Sequence, residues 1–336
     1  MNRKKLGWLV GLAVIAIAVL VLATNNKDDK NTNTNTQSIT KMNVGHINLA
    51  NDLPAFVAQE KGFFAAEKLE VTLKKFDSSK LATDAIYSGD IDASAGSSTV
   101  PLLGAESVQP GKAKIYALGY TGAQEKTTLG AFVVLNESPI QGPTELADKK
   151  IAVFPGGTAK ILLTRYLKAQ NVDTADIQWI EQTPNLWVPS LQNGAVDAVF
   201  AYESTLTVFK QDTTKPVGVF GHGALESTVD PLYLGGSTIN ADFLSKNPEA
   251  TKAYIRAYYK GIDYIKNNEA DARIILAKYT GVKEPVAKAM NLYPDAKLGD
   301  IEKDKFQKLA DILFEDKNIT KSVDTSKMYI DESFTK

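Results

Sequence analysis

The sequence predicts an α/β fold with two lobes of similar topology, joined by two crossing strands and followed by a helical C-terminal part. Short strand-like segments alternate with helical segments, which implies parallel βαβ units. The segment SGDIDASAGSS at 88–98 is echoed by NGAVDAVFAYES at 193–204, each with a helix-ending glycine, an Asp-Ala strand and a polar loop. From residue 241 onward the apolar residues recur with the period of a helix.

The first series of elements begins near residue 41. Its strands are apolar or alternate apolar with polar residues, and its helices carry Pro in the first turn or Gly at the end. The predicted strands are 41–49, 69–76, 91–95 and 114–119, and the predicted helices are 54–64, 79–88 and 98–106.

The second series repeats this pattern. Its predicted strands are 150–154, 176–181, 196–201 and 215–220, with helices at 159–170 and 185–192. LGAFVVL at 129–135 and PLYLGGSTI at 231–239 are predicted to cross between the lobes, which suits hinge closure around a ligand. The C-terminal helices are predicted at 247–268, 268–281, 284–291 and 304–314, with an irregular tail at 321–334 packed on the body.

The N-terminus predicts export. Residues 6–23 (LGWLVGLAVIAIAVLVLA) are apolar and follow Arg3, Lys4 and Lys5. The run is at the short end of a membrane-spanning helix and long for the core of a cleaved signal peptide, so both alternatives stay open. The polar stretch NNKDDKNTNTNTQ at 25–37 cannot bury apolar surface, which predicts a flexible tether. Both alternatives place the folded body outside the cytoplasm.

The predicted domain boundaries follow from these patterns. An anchor or signal peptide occupies 1–23 and a flexible linker 24–40. Lobe 1 spans 41–131, lobe 2 spans 132–235, and residues 236–336 return to lobe 1 and form the C-terminal helices.

Composition excludes several classes of protein. The 336 residues include no cysteine, which excludes disulfides, thiolate metal sites and a cysteine nucleophile. The net charge of −1 shows no excess of basic residues of the kind that nucleic-acid-binding proteins carry. His46 and His222 form no metal-binding motif; His46 is expected to pack within the first strand and His222 to lie in a surface turn. We therefore expect no metal, no cofactor and no nucleic-acid partner.

Small polar loops follow four predicted strands and mark the candidate site. They are FDSSK at 76–80, GSST at 96–99, PGGT at 155–158 and YES at 202–204. Ligands of open α/β sheets bind beyond the carboxyl ends of strands, and helix N-termini there offer free N–H groups to an anion. The alternative is that Ser79, Thr99 and Thr158 are only helix caps.

The other chemistry in these loops is acidic and aromatic. Asp52, Glu203 and Asp230 lie in loops that also lack arginine, so a multiply charged ligand is disfavoured and a small anion or zwitterion is favoured. The carboxylates are expected either to pair with a ligand ammonium or to stay hydrated on the rim. Trp187, Tyr202 and Tyr233 are candidate walls of the site, or else core residues.

The segments PAFVAQEKGFF, FDSSKLATDAIYSGDIDASAGSS, PGGTAKILLTRYL and NGAVDAVFAYEST resemble the solute-binding proteins of ABC importers. The branch they resemble binds taurine, aliphatic sulfonates or nitrate and is related to thiamine-pyrimidine binders. KFDSS is similar to the KFDSG of the taurine binders, whereas Tyr202-Glu203-Ser204 departs from the Trp-x-Pro of many members.

The resemblance implies a type II periplasmic-binding-protein fold that holds a taurine- or alkanesulfonate-like solute. It also implies an ABC permease as partner, a monomer without a cofactor, and no enzymatic activity. A nitrate or thiamine-pyrimidine-precursor binder, or a sensing module of the same fold, stays an alternative. An enzyme of the same superfamily is disfavoured, since those enzymes carry a cysteine-rich motif. The ligand contacts that the resemblance implies are Asn51, Asp52, Ser78, Ser79, Ser97, Ser98, Thr99, Gly156, Gly157 and Thr158.

Overall fold

Two β-sheets organise residues 39–336, the part of the chain that the computed structural model describes. The predicted anchor or signal peptide, and all of the predicted linker before residue 39, lie outside the described residues. Within residues 39–336, none of the helices has the length and apolar character needed to cross a membrane. In chain order the strands are β1 Thr40–His46, β2 Leu69–Lys75, β3 Ala93–Ser98, β4 Ala113–Thr121, β5 Gly130–Leu135, β6 Lys150–Val153, β7 Gln178–Glu181, β8 Ala198–Tyr202, β9 Val217–Phe220, β10 Leu232–Asn240 and β11 Asp295–Lys297.

Helices cover these sheets, and several begin where the sequence predicts. In chain order they are α1 Leu53–Glu60, α2 Phe63–Ala66, α3 Ser79–Ser88, α4 Thr99–Val108, α5 Thr158–Ala169, α6 Pro184–Gln192, α7 Thr205–Gln211, α8 Ala241–Lys246, α9 Pro248–Asn267, α10 Glu269–Thr280, α11 Glu284–Ala289 and α12 Lys303–Glu315. The predicted irregular tail is also observed, and it touches the first sheet through a bridge between Ile115 and Tyr329.

The two sheets share one topology, which confirms the two-lobe α/β fold. The first has the order β11-β4-β10-β3-β1-β2 and the second β7-β6-β8-β5-β9. Without the short edge strand β11, the two orders are equivalent: β2-β1-β3-β10-β4 corresponds to β7-β6-β8-β5-β9. In each of these five-strand sets one antiparallel strand, β10 or β5, lies between parallel strands, and β11 is a further antiparallel strand at the edge of the first sheet.

The repeated Asp-Ala motif has the same structural role in both lobes. The carboxylate of Asp92 accepts a hydrogen bond from the Asn43 N–H at 2.8 Å, and that of Asp197 accepts one from the Lys150 N–H at 2.8 Å. Each aspartate thereby connects the residue before β3 or β8 to the neighbouring strand of the same sheet, β1 or β6. The echo between the two halves of the sequence reflects this shared connection.

The two predicted crossing strands lie within the sheets. Gly130–Leu135 pairs with β8 and β9 in the second sheet, while Leu232–Asn240 pairs with β3 and β4 in the first. The chain therefore passes between the lobes at 122–129 and 221–231, and each strand follows directly after a passage. The predicted lobe boundaries at 131 and 235 fall inside these strands. Residues 130–131, predicted for lobe 1, pair in the second sheet, and residues 232–235, predicted for lobe 2, pair in the first.

Two predicted elements differ from the structure. The helix predicted at 54–64 is two helices, because Gly62 adopts a left-handed φ of 70° and ends the first one. The strand predicted at 91–95 lies instead at Ala93–Ser98. Its serines resemble a loop in the sequence, but the buried hydroxyls of Ser94 and Ser97 bond each other at 2.6 Å. Partners of this kind remove the cost of burying polar side chains in a strand.

His46 packs in the core at the end of β1, as predicted. It is 8% exposed and meets Phe56 edge to face at 5.2 Å. Burial, together with repulsion from Lys75, lowers its pKa to about 4.

We expect His46 to contribute to acid sensitivity. Its folded-state pKa is depressed, so its protonation favours the unfolded state as the pH falls from about 6.5 to about 4. Part of the repulsion is screened by water, so the expected loss over this range is about 2 kcal/mol. Chemical denaturation of wild type and His46→Gln across this range measures it: the variant should have the flatter profile. Parallel profiles would contradict the assignment.

Candidate functional site

A cavity of about 50 Å³ lies between the lobes, beyond the carboxyl ends of the parallel strands. Such ends are where open α/β sheets bind ligands. Lobe 1 lines it with the ends of β1, β3 and β4, and lobe 2 with the residues that follow β6 and the last residue of β8. Five residues of the predicted site line the cavity: Asn51, Ser79, Ser98, Thr158 and Tyr202.

Three helix N-termini converge on this cavity. Ser79, Ser98 and Thr158 all line it; Ser79 and Thr158 begin α3 and α5, and Ser98 is the cap of α4. The Ser98 and Thr158 hydroxyls lie 2.7 Å apart, so a hydrogen bond joins the two lobes at the site. A Cβ added at Gly156 would lie 3.6 Å from the Lys80 nitrogen, which places the PGGT loop against the start of α3. Unpaired N–H groups and the helix dipoles make this region suitable for an anion.

Two of the predicted ligand contacts already have hydrogen-bond partners within the fold. The Gly157 N–H donates to the Glu181 carboxylate at 3.2 Å, and Ser78 caps α3 by accepting from the Leu81 N–H at 3.2 Å. The caps of α4 and α5 make no side-chain hydrogen bond to their own helices. The first N–H groups of α4 and α5 are therefore not occupied by side-chain caps.

Gly96 shapes the lobe 1 side of the cavity. It has a left-handed φ of 73°, and a Cβ added there would lie 2.4 Å from the Asn51 carbonyl oxygen. The Asn51 side-chain amide donates to the Gly96 carbonyl. Glycine at this position lets the loop after β1 approach β3, which brings Asn51 and Ser98 to the same cavity.

Aromatic side chains form the walls, and most of them were missed by sequence reasoning. Phe154 and Tyr202 of lobe 2 lie with ring centroids 6.0 Å apart, and Tyr120 and Tyr293 also line the cavity. The Tyr293 hydroxyl donates to the Leu129 carbonyl at 2.7 Å, which holds that ring across the passage between the lobes. The polar residues of the lining are thus embedded in an apolar surface, a common property of small-molecule sites.

Asp295 is the carboxylate at the cavity, and sequence reasoning missed it. It begins β11, is 8% exposed, and its Oδ1 has no hydrogen-bond partner among residues 39–336. Burial raises its pKa to about 8. Its local sequence, YPDAK, resembles an ordinary surface turn, so no local signal marks it. Pairing of β11 with β4 brings it to the site, opposite Gly119.

The three predicted carboxylates do not line the cavity. Asp52 is fully buried, and its Oδ2 accepts from the Leu49 and Ile47 N–H groups at 2.9 and 3.2 Å. Glu203 is 5% exposed and accepts from the Thr207 hydroxyl at 2.7 Å, so its charge is used in capping α7. Asp230 is exposed. The first two carboxylates serve local backbone structure, and the third faces water.

Other predicted residues support the site from behind. Thr99 donates to the Tyr233 carbonyl at 2.7 Å, and the Tyr233 hydroxyl accepts from the Glu302 N–H at 2.9 Å. Trp187 is fully buried and meets Tyr202 edge to face at 5.9 Å. Trp187 thus packs against the lining side chain of Tyr202, whereas Ser97 bonds Ser94 and, like Thr99 and Tyr233, does not line the cavity.

A larger groove of about 750 Å³ adjoins the cavity. The two share Ile47, Leu49 and Phe154, and Glu203 lies in the groove. The groove and the cavity therefore meet at these three shared residues. Among residues 39–336, no group of three metal-ligating side chains is suited to hold a metal ion.

Comparison with known proteins agrees with this architecture. The chain is 25% identical over 294 residues to a candidate aliphatic sulfonates-binding protein of Bacillus subtilis (strain 168), covering 84% of each chain. It is 24% identical over 247 residues to the 4-amino-5-hydroxymethyl-2-methylpyrimidine phosphate synthase of Uromyces fabae, covering 71% of this chain and 69% of that one. One relative is thus named as a binding protein and the other as an enzyme.

Solved structures show the same fold. The alkanesulfonate-binding protein SsuA from Xanthomonas axonopodis pv. citri, bound to MOPS, superposes with a TM-score of 0.69 at 17% identity, covering 88% of this chain and 99% of that one. Residues 50–272 match the family model described as NMT1/THI5 like. The match covers most of both lobes, and the chain therefore belongs to the NMT1/THI5-like family.

Proposed function

We propose that the protein is an extracytoplasmic solute-binding protein that captures a small anionic or zwitterionic solute, taurine- or alkanesulfonate-like, and delivers it to an ABC importer. The observation that carries this proposal is the meeting of three helix N-termini from both lobes at one narrow cavity. A sulfonate has three acceptor oxygens around one charge, which suits donors that approach from several directions.

The location and the partner are part of the same proposal. The apolar run at 6–23 after three basic residues, followed by a polar tether, suits a chain that works outside the cytoplasm near a membrane. A binding protein in that position would meet a permease in the same membrane. The SsuA proteins that share the fold are named as sulfonate-binding proteins, which supports the ligand class.

Binding without turnover suits the chemistry of the cavity. Within residues 39–336 its polar lining consists of hydroxyls, an asparagine amide and one aspartate. His46 is packed against Phe56, and the chain contains no cysteine. A pair of residues arranged as nucleophile and base is not part of this lining, so the proposal assigns capture and release to the site.

The hydrogen bond between the lobes gives a direct test. Thr158→Val keeps the shape of the side chain and removes the hydroxyl that bonds Ser98. We expect alkanesulfonate affinity to fall by about tenfold, or about 1.4 kcal/mol, because the closed arrangement loses a bond at the anion site. Isothermal titration calorimetry with ethanesulfonate measures this.

The matched control is Thr213→Val, an exposed threonine of lobe 2 outside the cavity. It should bind as wild type does. If wild type binds neither sulfonates, taurine nor nitrate, the proposed ligand class is wrong. If Thr158→Val folds and binds ethanesulfonate as tightly as wild type, the anion does not lie at these helix ends.

A further inference from the structure

Asp295 is a buried carboxylate that the fold leaves without a partner. Its Oδ1 is buried yet accepts no hydrogen bond from residues 39–336, although the side chain lies at the cavity surface. Burying such a group without a partner is unfavourable, so proteins normally pair a buried carboxylate or replace it. An unsatisfied acceptor at a ligand cavity indicates a donor that comes with the ligand.

The surroundings of Asp295 leave that position open to a donor. The cavity lining within residues 39–336 includes no lysine, arginine or histidine. A Cβ added at Gly119, the strand neighbour of Asp295, would lie 3.3 Å from Oδ1, so the glycine keeps space beside the carboxylate. Lys266 is close enough to interact electrostatically with Asp295, but it does not line the cavity. The space beside the carboxylate and the lack of a basic side chain in the lining favour an approaching N–H group.

We propose that Asp295 recognises an N–H group of the ligand, either an ammonium or an aromatic amine, while the helix N-termini hold its anionic or acceptor end. This inference rests on the proposed function, because it concerns the same cavity. It adds a second recognised group on the ligand, an N–H donor. A cavity of about 50 Å³ has room for only a few water-sized groups, since each needs roughly 10–15 Å³. The two ends of the ligand must therefore be a short distance apart.

The two sources of the N–H group are separated by matched ligand pairs. Taurine differs from ethanesulfonate by its ammonium group, and 4-aminopyrimidine differs from pyrimidine by its amine. Calorimetry on the full chain with all four compounds compares the amine-bearing and amine-free member of each pair. We expect at least about a tenfold preference for the amine-bearing member of one pair, and that pair identifies the source.

The variant Asp295→Asn tests the residue. The preference should disappear in this variant, and a cooperative denaturant unfolding transition shows separately that the variant is folded. Asp230→Asn is the matched control, since this aspartate is exposed and outside the cavity, and it should keep the preference.

The failures are distinguishable. If ethanesulfonate binds and neither pair shows a preference, the proposed function stands and Asp295 has no role in recognition. The same conclusion follows if the preference survives in Asp295→Asn. If neither sulfonate binds but 4-aminopyrimidine does so through Asp295, the sulfonate proposal fails and the inference stands. If none of the four compounds binds, both are overturned.

Discussion

Asp295→Asn is expected to stabilise the protein in alkaline solution and to have little effect in acid. The folded-state pKa of Asp295 is raised to about 8 by burial, so the folded protein holds this proton more tightly than the unfolded chain does. Below the unfolded-state pKa the carboxyl is protonated in both states, and its burial carries no charge penalty. As the pH rises toward 8 the penalty grows, and above 8 it is complete.

The size of the effect follows from the difference between the folded-state and unfolded-state pKa of Asp295. The difference in free energy of unfolding between Asp295→Asn and wild type should be larger at about pH 9 than at about pH 4, by on the order of 5 kcal/mol in favour of the variant. Denaturant unfolding of both proteins at several pH values measures this, because the other titrating groups contribute equally to both curves. The matched control is Asp300→Asn, at an exposed position five residues after Asp295. It should leave the unfolding curves unchanged, because it removes no buried charge.

The pH dependence of the two unfolding curves decides whether the Asp295 carboxylate is buried without a partner. A constant difference between the Asp295→Asn and wild-type curves would mean that Asp295 titrates as an exposed aspartate does. Because an unpaired buried charge is what destabilises the wild type, an N–H ligand should reduce the difference at alkaline pH. A ligand that lacks this group should leave it unchanged.

Gly96→Ala is expected to destabilise the protein by about 3 kcal/mol or more, because it combines an unfavourable backbone conformation with a collision. The φ of 73° is one that residues with a Cβ rarely adopt, and the new carbon would lie 2.4 Å from the Asn51 carbonyl oxygen. That oxygen belongs to backbone and cannot move aside without displacing the loop after β1. Thermal unfolding measures the loss.

The matched control is Gly104→Ala in the interior of α4. A Cβ there would meet nothing within 4 Å, and alanine is the better helix former, so this variant should be as stable as wild type or more stable. If Gly96→Ala is equally stable, the close approach of Asn51 to β3 does not constrain the fold. A folded Gly96→Ala variant should also bind ligand more weakly, since Asn51 lines the cavity.

Local sequence patterns predicted much of this fold because local chemistry decides where a helix or strand begins. The helix predicted at 79–88 is observed with those bounds, with Ser78 as its cap and a left-handed Gly89 at its end. The repeated Asp-Ala segments predicted two similar lobes, and the equivalent carboxylate contacts of Asp92 and Asp197 explain the repeat. The helix N-termini at the cavity were also predictable, because Ser, Thr and Gly after a strand mark such ends.

Which carboxylate lies at the cavity depended on tertiary structure. Asp52, Glu203 and Asp230 lie in loops that the sequence marks as candidate site loops and Asp295 does not, but packing gives each of the four a different environment. Backbone N–H groups occupy Asp52, the start of α7 occupies Glu203, and Asp230 lies in solvent. The partners of Asp52 and the Thr207 partner of Glu203 lie within five residues of them along the chain, whereas Asp295 is brought to the cavity by a strand that is distant in sequence from the rest of the lining.

The sequence alone therefore determined the two-lobe α/β class, the helix N-termini and an arginine-poor set of loops suited to a small anion. The tertiary structure decided which residues meet. Asn51, Thr158 and Asp295 come from three distant parts of the chain and share one cavity only because two sheets of equivalent topology face each other. Strand pairing between β11 and β4 brings Asp295 there, and such long-range pairing leaves no trace in a local pattern.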